Sequence, residues 1–372
     1  MTSPIPYPHA RPWYRTPRGL LTLALLVVGV AIPFLVSDYD LFNMTRVLAI
    51  ALGVAGLNLL VGFSGQISVG HGAIFGIGGY TTMLLMLNLD VPWPLALMAS
   101  IGAGLIVGLA IGIPALKLGG LNLGLFTIAI AAVFPLVVSR FSDFTGGTVG
   151  LALPTSPFVA PDGIALTPAQ FGFLFALLAL AGTLVLLRNI TVGRFGRAYA
   201  AIRTNRILAV SNGVRVPQLK LIAFVVSSAV AGLAGGILVL VLTVATPDSY
   251  LLTFSLILLM AATVGGSRSW IGAIVGAAIV VYLPDFASKV LPGQASGQFA
   301  QLIFAVLLGV CLILAPGGLA AWSTSIGRSG AALVRGRRST APRNPKTESG
   351  SNTDPESYPE TTTASTRKEA NR

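Results

Sequence analysis

Charge is scarce in this chain. Of 372 residues only 10% are charged, and the 12 acidic residues face 24 lysines and arginines. A water-soluble domain carries about 25% charged residues, so 10% leaves too few to cover a soluble body of this length. Cysteine is nearly absent too. The single one, Cys311, lies in the apolar run 299–315, which excludes a disulfide framework and a thiolate metal site. Two histidines, His9 and His71, cannot form a multi-histidine metal centre, and no metal is expected. No G-x-x-x-x-G-K-[S/T] phosphate loop and no nucleophile–base–carboxylate set occurs. The chain therefore reads as neither a self-powered machine nor an enzyme, and no cofactor is expected.

Apolar sequence is abundant. Hydrophobic residues make up 54% of the chain and mean hydropathy is +0.83. Runs long enough for membrane helices, which need ~20 apolar residues each, can be drawn at 20–36, 46–62, 69–87, 93–115, 121–139, 168–187, 219–244, 252–264, 271–283 and 298–315. The pair 252–264 and 271–283 is short, so each is a tilted helix or half of a broken one. The expected fold is an all-α polytopic transmembrane bundle of about ten spans (eight to ten), both termini cytoplasmic, with broken or re-entrant glycine-rich segments.

Charge position orients this bundle. In a ten-span reading the outer connections 37–45, 88–92, 140–167, 245–251 and 284–297 hold Asp38, Asp40, Asp90, Asp143, Asp162, Asp248 and Asp285, every acid upstream of the polar tail. The inner side receives Arg11, Arg15, Arg18, Lys117, Arg268 and the acid-free run Arg188, Arg194, Arg197, Arg203, Arg206, Arg215 and Lys220. Only Arg46, Arg140 and Lys289 fall outside this pattern, which the positive-inside rule expects. The net charge of +12 thus belongs to membrane topology, and nucleic acid is not an expected partner. No span shows a firmly internal charge in this reading, which disfavours an ion-coupled pump.

The chain divides into a basic N-terminal tail at 1–19, a membrane domain at 20–318 with a cytoplasmic loop at 188–217, and a C-terminal tail at 319–372. From about 339 that tail lacks Ile, Leu, Val, Phe and Met and reads as disordered. The run 20–36 is too long for a signal-peptide core and reads as an uncleaved first helix.

Segment 57–82, LNLLVGFSGQISVGHGAIFGIGGYTT, interleaves seven glycines with Ser64, Gln66, Ser68 and His71. Each glycine weakens a helix by ~1 kcal/mol relative to alanine, so the backbone is expected to unwind near Gly62–Gly70. Unwound backbone at a membrane is tolerated where protein buries it or water reaches it, and there it can handle polar solutes. Candidate pathway residues are Asn58, Ser64, Gly65, Gln66, Ser68, His71 and Tyr80. The competing reading is packing alone, with Gly72 and Gly76 as a small-xxx-small pair. Bulk at Gly65 is expected to be incompatible with the break. His71, alone among possible ligands, reads as a hydrogen-bonded structural histidine near the inner face. Further packing faces are Gly104 with Gly108 (and Gly112), and Gly232 with Gly236. A second break is expected at Gly265-Gly266-Ser267.

In the loop RNITVGRFGRAYAAIRTNRILAVSNGVRVP at 188–217, residues 197–210 show helical periodicity, with Tyr199, Ile202 and Ala209 on one face and arginines elsewhere. Such a helix either lies on anionic membrane lipid or docks a cytoplasmic partner.

Segment 57–82 resembles the signature of permeases in the branched-chain (hydrophobic) amino acid ABC importer family, L-N-L-L-x-G-x-x-G-Q-x-S-x-G-H-x-x-F-x-G-x-G-x-Y. Leu57, Asn58, Gly62, Gly65, Gln66, Ser68, Gly70, His71, Phe75, Gly76, Gly78 and Tyr80 match it. The resemblance continues through 114–127, 145–151, 193–205, 219–238 and 265–278, and the segment order fits the LivM-type subunit better than the LivH-type. It implies a homologous second permease subunit, two cytoplasmic ATP-binding subunits and an extracytoplasmic solute-binding protein. It implies a cell-membrane location and import of branched-chain amino acids, with urea or short amides as alternative cargo. An ATP-independent facilitator for neutral solutes is the reading from another class. The resemblance also makes 193–213 the coupling segment, with Arg194, Phe195, Arg197, Ile202, Arg203 and Gly213 as its candidate residues, which favours docking over lipid adsorption. Thr204, Arg206 and Val210 stand where this family often has glutamate, and Arg268 where it often has glycine.

Overall fold

A computed structural model describes residues 29–116, 121–159, 166–290 and 306. The expected span 298–315 (apart from residue 306), most of 20–36, the two tails and Cys311 lie outside the described residues. Helix α1, Asp38–Asn58, runs into a π-turn at Leu59–Phe63. Then come α2 (His71–Leu89), α3 (Trp93–Ala115), α4 (Leu121–Arg140), the single turn α5 (Ser142–Thr145) and a two-residue strand β1 (Leu151–Ala152). After α6 (Pro168–Val192), the short helices α7 (Arg194–Thr204) and α8 (Arg206–Ser211) precede α9 (Val216–Leu242). Strand β2 (Val244–Ala245) pairs antiparallel with β1, and a 3-10 turn (Pro247–Tyr250) leads into α10 (Leu252–Gly265) and α11 (Trp270–Val290).

Six of these helices (α1 with its π-turn, α2, α3, α4, α6 and α9) are long and apolar enough to cross a membrane, while α10 and α11 offer shorter apolar stretches. Local chemistry sets their ends. Ser37 caps α1 by accepting from Asp40 N–H at 3.3 Å, and Asp38 and Asp40 favour the positive helix start. This start lies eight residues before the expected span at 46. Arg46 therefore sits in the third turn of α1 and not in a connection: its Nη1 donates to Asn43 Oδ1 at 3.3 Å and its guanidinium lies 5.8 Å from the Phe42 ring centroid. Helix α6 opens with a capping box, Thr167 and Gln170 bonding each other's backbone N–H, and Pro168 as a preformed first turn.

Helices α1, α2, α3 and α9 form the centre. Of the most apolar window of α1, 83% is buried inside the chain, against 28% for α4, so α1 is core and α4 is peripheral. Close approach depends on small residues. A Cβ at Gly104 or Gly232 would meet the backbone carbonyl of Ser228 or Ser100, one at Gly108 the Ser228 side chain, and one at Gly236 would meet Leu97, Thr82 and Ser100. Gly72 faces Ser255, and Gly76 faces Phe134 and Tyr250. The glycines of the two faces thus mark helix crossings.

The bundle has an acidic and a basic end. Asp38 and Asp40, Asp90 and Asp143 occupy one end with Arg140. The π-turn, α7, α8, Arg215, Lys220 and Arg268 occupy the other. One expected connection departs from this arrangement. Residues 244–251 do not stay at the acidic end but fold back along α2: Tyr80 Oη donates to Ala245 O at 3.2 Å, and the Tyr250 ring packs against Gly76 and Gly79. Gly79 lies 11 residues before Asp90, ~16 Å along a helix, about half of a ~30 Å hydrocarbon layer. Helix α10, 14 residues and so ~21 Å long, covers the remaining depth to the basic end. It is the half-length member of a broken span.

Candidate functional site

The expected break is present, and its geometry follows from its residues. The π-turn widens the end of α1, with Ser64 N–H donating to Leu59 O at 3.0 Å and Gln66 N–H to Leu60 O at 3.1 Å. Gly65 then takes φ +70, a left-handed conformation that glycine adopts without strain. The chain stays non-helical until His71. A Cβ at Gly65 would meet no atom within 4 Å, so for a small side chain backbone strain is what restricts the position. Bulk is excluded at Gly62, where a Cβ would overlap the Ser267 carbonyl.

Two groups of the candidate pathway residues come together. Gln66 Nε2 donates to Ser64 Oγ and, at 3.1 Å, to Lys220 O, tying the break to the start of α9. His71 stands between Ser68 Oγ (2.9 Å from Nδ1) and Ser227 Oγ (2.7 Å from Nε2), while Ser227 donates to Gly56 O at 2.7 Å. Donor counting fixes the ring. The one hydroxyl hydrogen of Ser227 is committed to Gly56 O, so His71 must donate from Nε2, and the neutral ring accepts from Ser68 at Nδ1. This chain of bonds joins α1, α2 and α9, and His71 is only 1% exposed, a structural hub with no face toward solute in this chain. Asn58 stands apart at the basic end, donating from Nδ2 to Ser269 O at 3.2 Å. Tyr80 also stands apart, nine residues up α2 with the re-entrant 244–251 stretch. Of the seven, only Gly65 is exposed.

The second glycine-rich turn packs directly on the first. Ser267 lies against Gly62, the Asn58 amide reaches Ser269, and Phe63 stacks on Trp270 with ring centroids 5.3 Å apart. Two guanidiniums converge on the same point: Arg203 Nη1 donates to Gly62 O, and Arg268 Nε donates to it at 3.4 Å. That carbonyl belongs to the negative end of the α1 dipole, where cations are favoured. Desolvation, and then the neighbouring Arg268 charge, shift the Arg203 guanidinium below its usual range.

Residues 197–210 do not form one helix. Asn205 breaks them, its extended backbone ending α7 while its side chain caps α8 by accepting from Ile207 and Leu208 N–H. Tyr199, Ile202 and Ala209 are buried as one face. Tyr199 Oη donates to Leu219 O at 3.0 Å, and burial pushes its phenol up to about 12. Arg194, Phe195 and Arg197 remain exposed, with Arg194 5.7 Å from the Phe195 ring centroid. Ile202 faces inward, and Gly213, at φ +77, makes the turn after α8. The coupling candidates therefore divide into an outward set (Arg194, Phe195, Arg197), the buried Ile202, and Arg203, which is exposed overall but reaches Gly62 O with its guanidinium. Ile207 and Leu208 add exposed apolar surface beside the outward set.

Reasoning from sequence missed Ser227, Ser255 and Thr127, which bond His71, Gly72 N–H and Val69 N–H respectively. The serine pair in the otherwise apolar LIAFVVSSAVAG was a readable signal for the first. Among the described residues no three His, Cys, Asp or Glu side chains come together as metal ligands.

Comparison with known proteins matches residues 41–316 to the family described as branched-chain amino acid transport system / permease component. The chain belongs to this family. Similar curated proteins include the high-affinity branched-chain amino acid transport system permease protein LivM of Salmonella typhimurium, 29% identical over 81% of this chain and 74% of that protein. The Escherichia coli LivM is 28% identical over the same shares. A LivH permease protein of Salmonella typhimurium is 24% identical over 77% of this chain and 96% of its own length. No solved structure matches. The permease family is one of transport components, and its helical membrane architecture agrees with the apolar helices described above.

Proposed function

We propose that this permease is the LivM-type membrane subunit of an ATP-driven importer for branched-chain or other hydrophobic amino acids, worked by a separate ATP-binding chain. The basic end faces the cytoplasm, as the positive-inside rule requires, which places both termini of the ten-span reading there. A homologous LivH-type subunit completes the pathway, and an extracytoplasmic binding protein delivers solute. The observation that carries this reading is the meeting of Arg203, Arg268 and Gly62. It links α7 of the cytoplasmic loop to both glycine-rich turns through one carbonyl. A partner seated on the outward set of α7 and α8 could thus move the turns at the foot of α1 and between α10 and α11 as a unit. Rigid-body tilting of a helix pair is a standard way to alternate access.

The two faces of α7 separate docking from transmission. In the assembled transporter reconstituted in liposomes, Arg194→Glu with Arg197→Glu should abolish co-purification of the ATP-binding chain. Arg203→Gln should leave co-purification intact while solute moved per ATP hydrolysed falls about ten- to hundredfold, the change one charge-assisted hydrogen bond makes in an equilibrium. Uptake by the lone chain without nucleotide would sink the reading.

A further inference from the structure

One carboxylate lies on the stretch that folds back along α2. Asp248 lies in the re-entrant stretch after α9, between Ala245, whose carbonyl accepts from Tyr80, and Tyr250, whose ring is wedged between Gly76 and Gly79. Those contacts hold the Tyr250 ring beside Gly79, ~16 Å from Asp90 by the rise of α2. The backbone at Asp248 is 3-10 rather than α-helical, and the side chains of Asp248 and Ser249 are exposed on this chain. Thr246 and Ser249 join hydroxyls at 2.8 Å beside it. A tightly packed wall lies behind them: Phe75, Tyr80, Phe134, Tyr250 and Phe254 meet edge to face.

Irregular backbone at membrane depth is stable only where protein covers it or water reaches it, and an ionisable side chain there faces a partner or an aqueous path, not lipid. The inward side is filled by the aromatic wall, and the polar side is exposed on this chain. We propose that Thr246, Asp248 and Ser249 line the solute path, and that the Asp248 carboxylate receives the ammonium group of a zwitterionic amino acid. This rests on the importer reading above and deepens it. A carboxylate at this point favours cargo with a cationic head group over urea or short amides, which carry none. The aromatic wall beside it suits an apolar side chain.

Two measurements on the assembled transporter test this. In a Cys311→Ala background, Ser249→Cys should react with a membrane-impermeant cationic methanethiosulfonate, and leucine should slow that reaction. Asp248→Asn should lower leucine uptake about ten- to hundredfold, the loss expected for one hydrogen bond to a charged group, with the ATP-binding chain still co-purifying. Asp248→Glu should keep a measurable share. Modification of Ser249→Cys only by a lipid-soluble maleimide would overturn the proposal, as would wild-type leucine uptake by Asp248→Asn. Failure of the importer reading is separately visible, because the wild-type chain would then not retain an ATP-binding partner, whereas cysteine accessibility can be read in either case.

Discussion

Adjacent serines in α9 should behave oppositely when each is replaced by alanine. Ser227 Oγ holds two buried bonds, donating to Gly56 O and accepting from His71 Nε2, both at 2.7 Å. Removing it leaves a buried carbonyl and a buried ring N–H unpaired at the junction of α1, α2 and α9. In membrane bundles side-chain hydrogen bonds average ~0.6 kcal/mol and reach ~1.7. Two bonds lost together, with their partners stranded, place Ser227→Ala at about 1–3 kcal/mol of destabilisation. Ser228 is also fully buried, but its Oγ has no partner among the described residues. Its alanine variant keeps the Cβ that packs against Gly108 and sheds an unpaired polar atom. Ser228→Ala should be neutral or slightly stabilising. Thermal denaturation of the purified protein in detergent separates the two: several degrees lower for Ser227→Ala, unchanged or higher for Ser228→Ala. Equal losses would show that the hydroxyls act only through volume, and would refute the hydrogen-bond reading of the His71 hub.

The glycines of the first break should also part company. Gly62→Ala drives a methyl into the Ser267 carbonyl and should disrupt the contact between the two turns, abolishing uptake with the chain still inserted. Gly65→Ala meets no atom within 4 Å and costs only the left-handed strain of φ +70, ~1–2 kcal/mol, so most uptake should survive; uptake measured in cells decides between them. In α7, Tyr199 carries a folded-state value of about 12 against an ordinary 10.0. Because burial favours the protonated phenol, its contribution to stability is whole below pH 10 and is lost as pH rises toward 12. Melting temperature should fall over that interval, and Tyr199→Phe should flatten the fall.

The parts that local composition governs were legible in the sequence. The break at 62–70 followed from glycine density, and α1, α2, α3, α4, α6 and α9 from apolar run length. What stayed hidden depended on partners distant in the chain. Arg268 was visible as an unusual residue after Gly265-Gly266, but its shared acceptor is 206 residues away. The split of 197–210 at Asn205 was local and could have been read, since asparagine is among the strongest helix N-caps. Arg46 was assigned to a connection because the charge drew the expected boundary; the Ser37 cap and two aspartates start the helix earlier.

The misplacement of 245–251 has the most consequence, and its cause is physical. A short polar stretch with Thr246, Pro247, Asp248 and Ser249 between two apolar runs has the composition of a surface loop. Composition does not report depth. Depth here is set by Gly76 and Gly79, which leave room on α2 for the Tyr250 ring, and by Tyr80, which donates to the Ala245 carbonyl. Gly76, which reads with Gly72 as a helix-packing pair, therefore also admits a non-helical segment into the bundle. If the stretch lines the solute path as proposed, packing and pathway, two alternatives when the glycines are considered alone, become one arrangement: close packing on one side of the stretch leaves its polar residues exposed on the other.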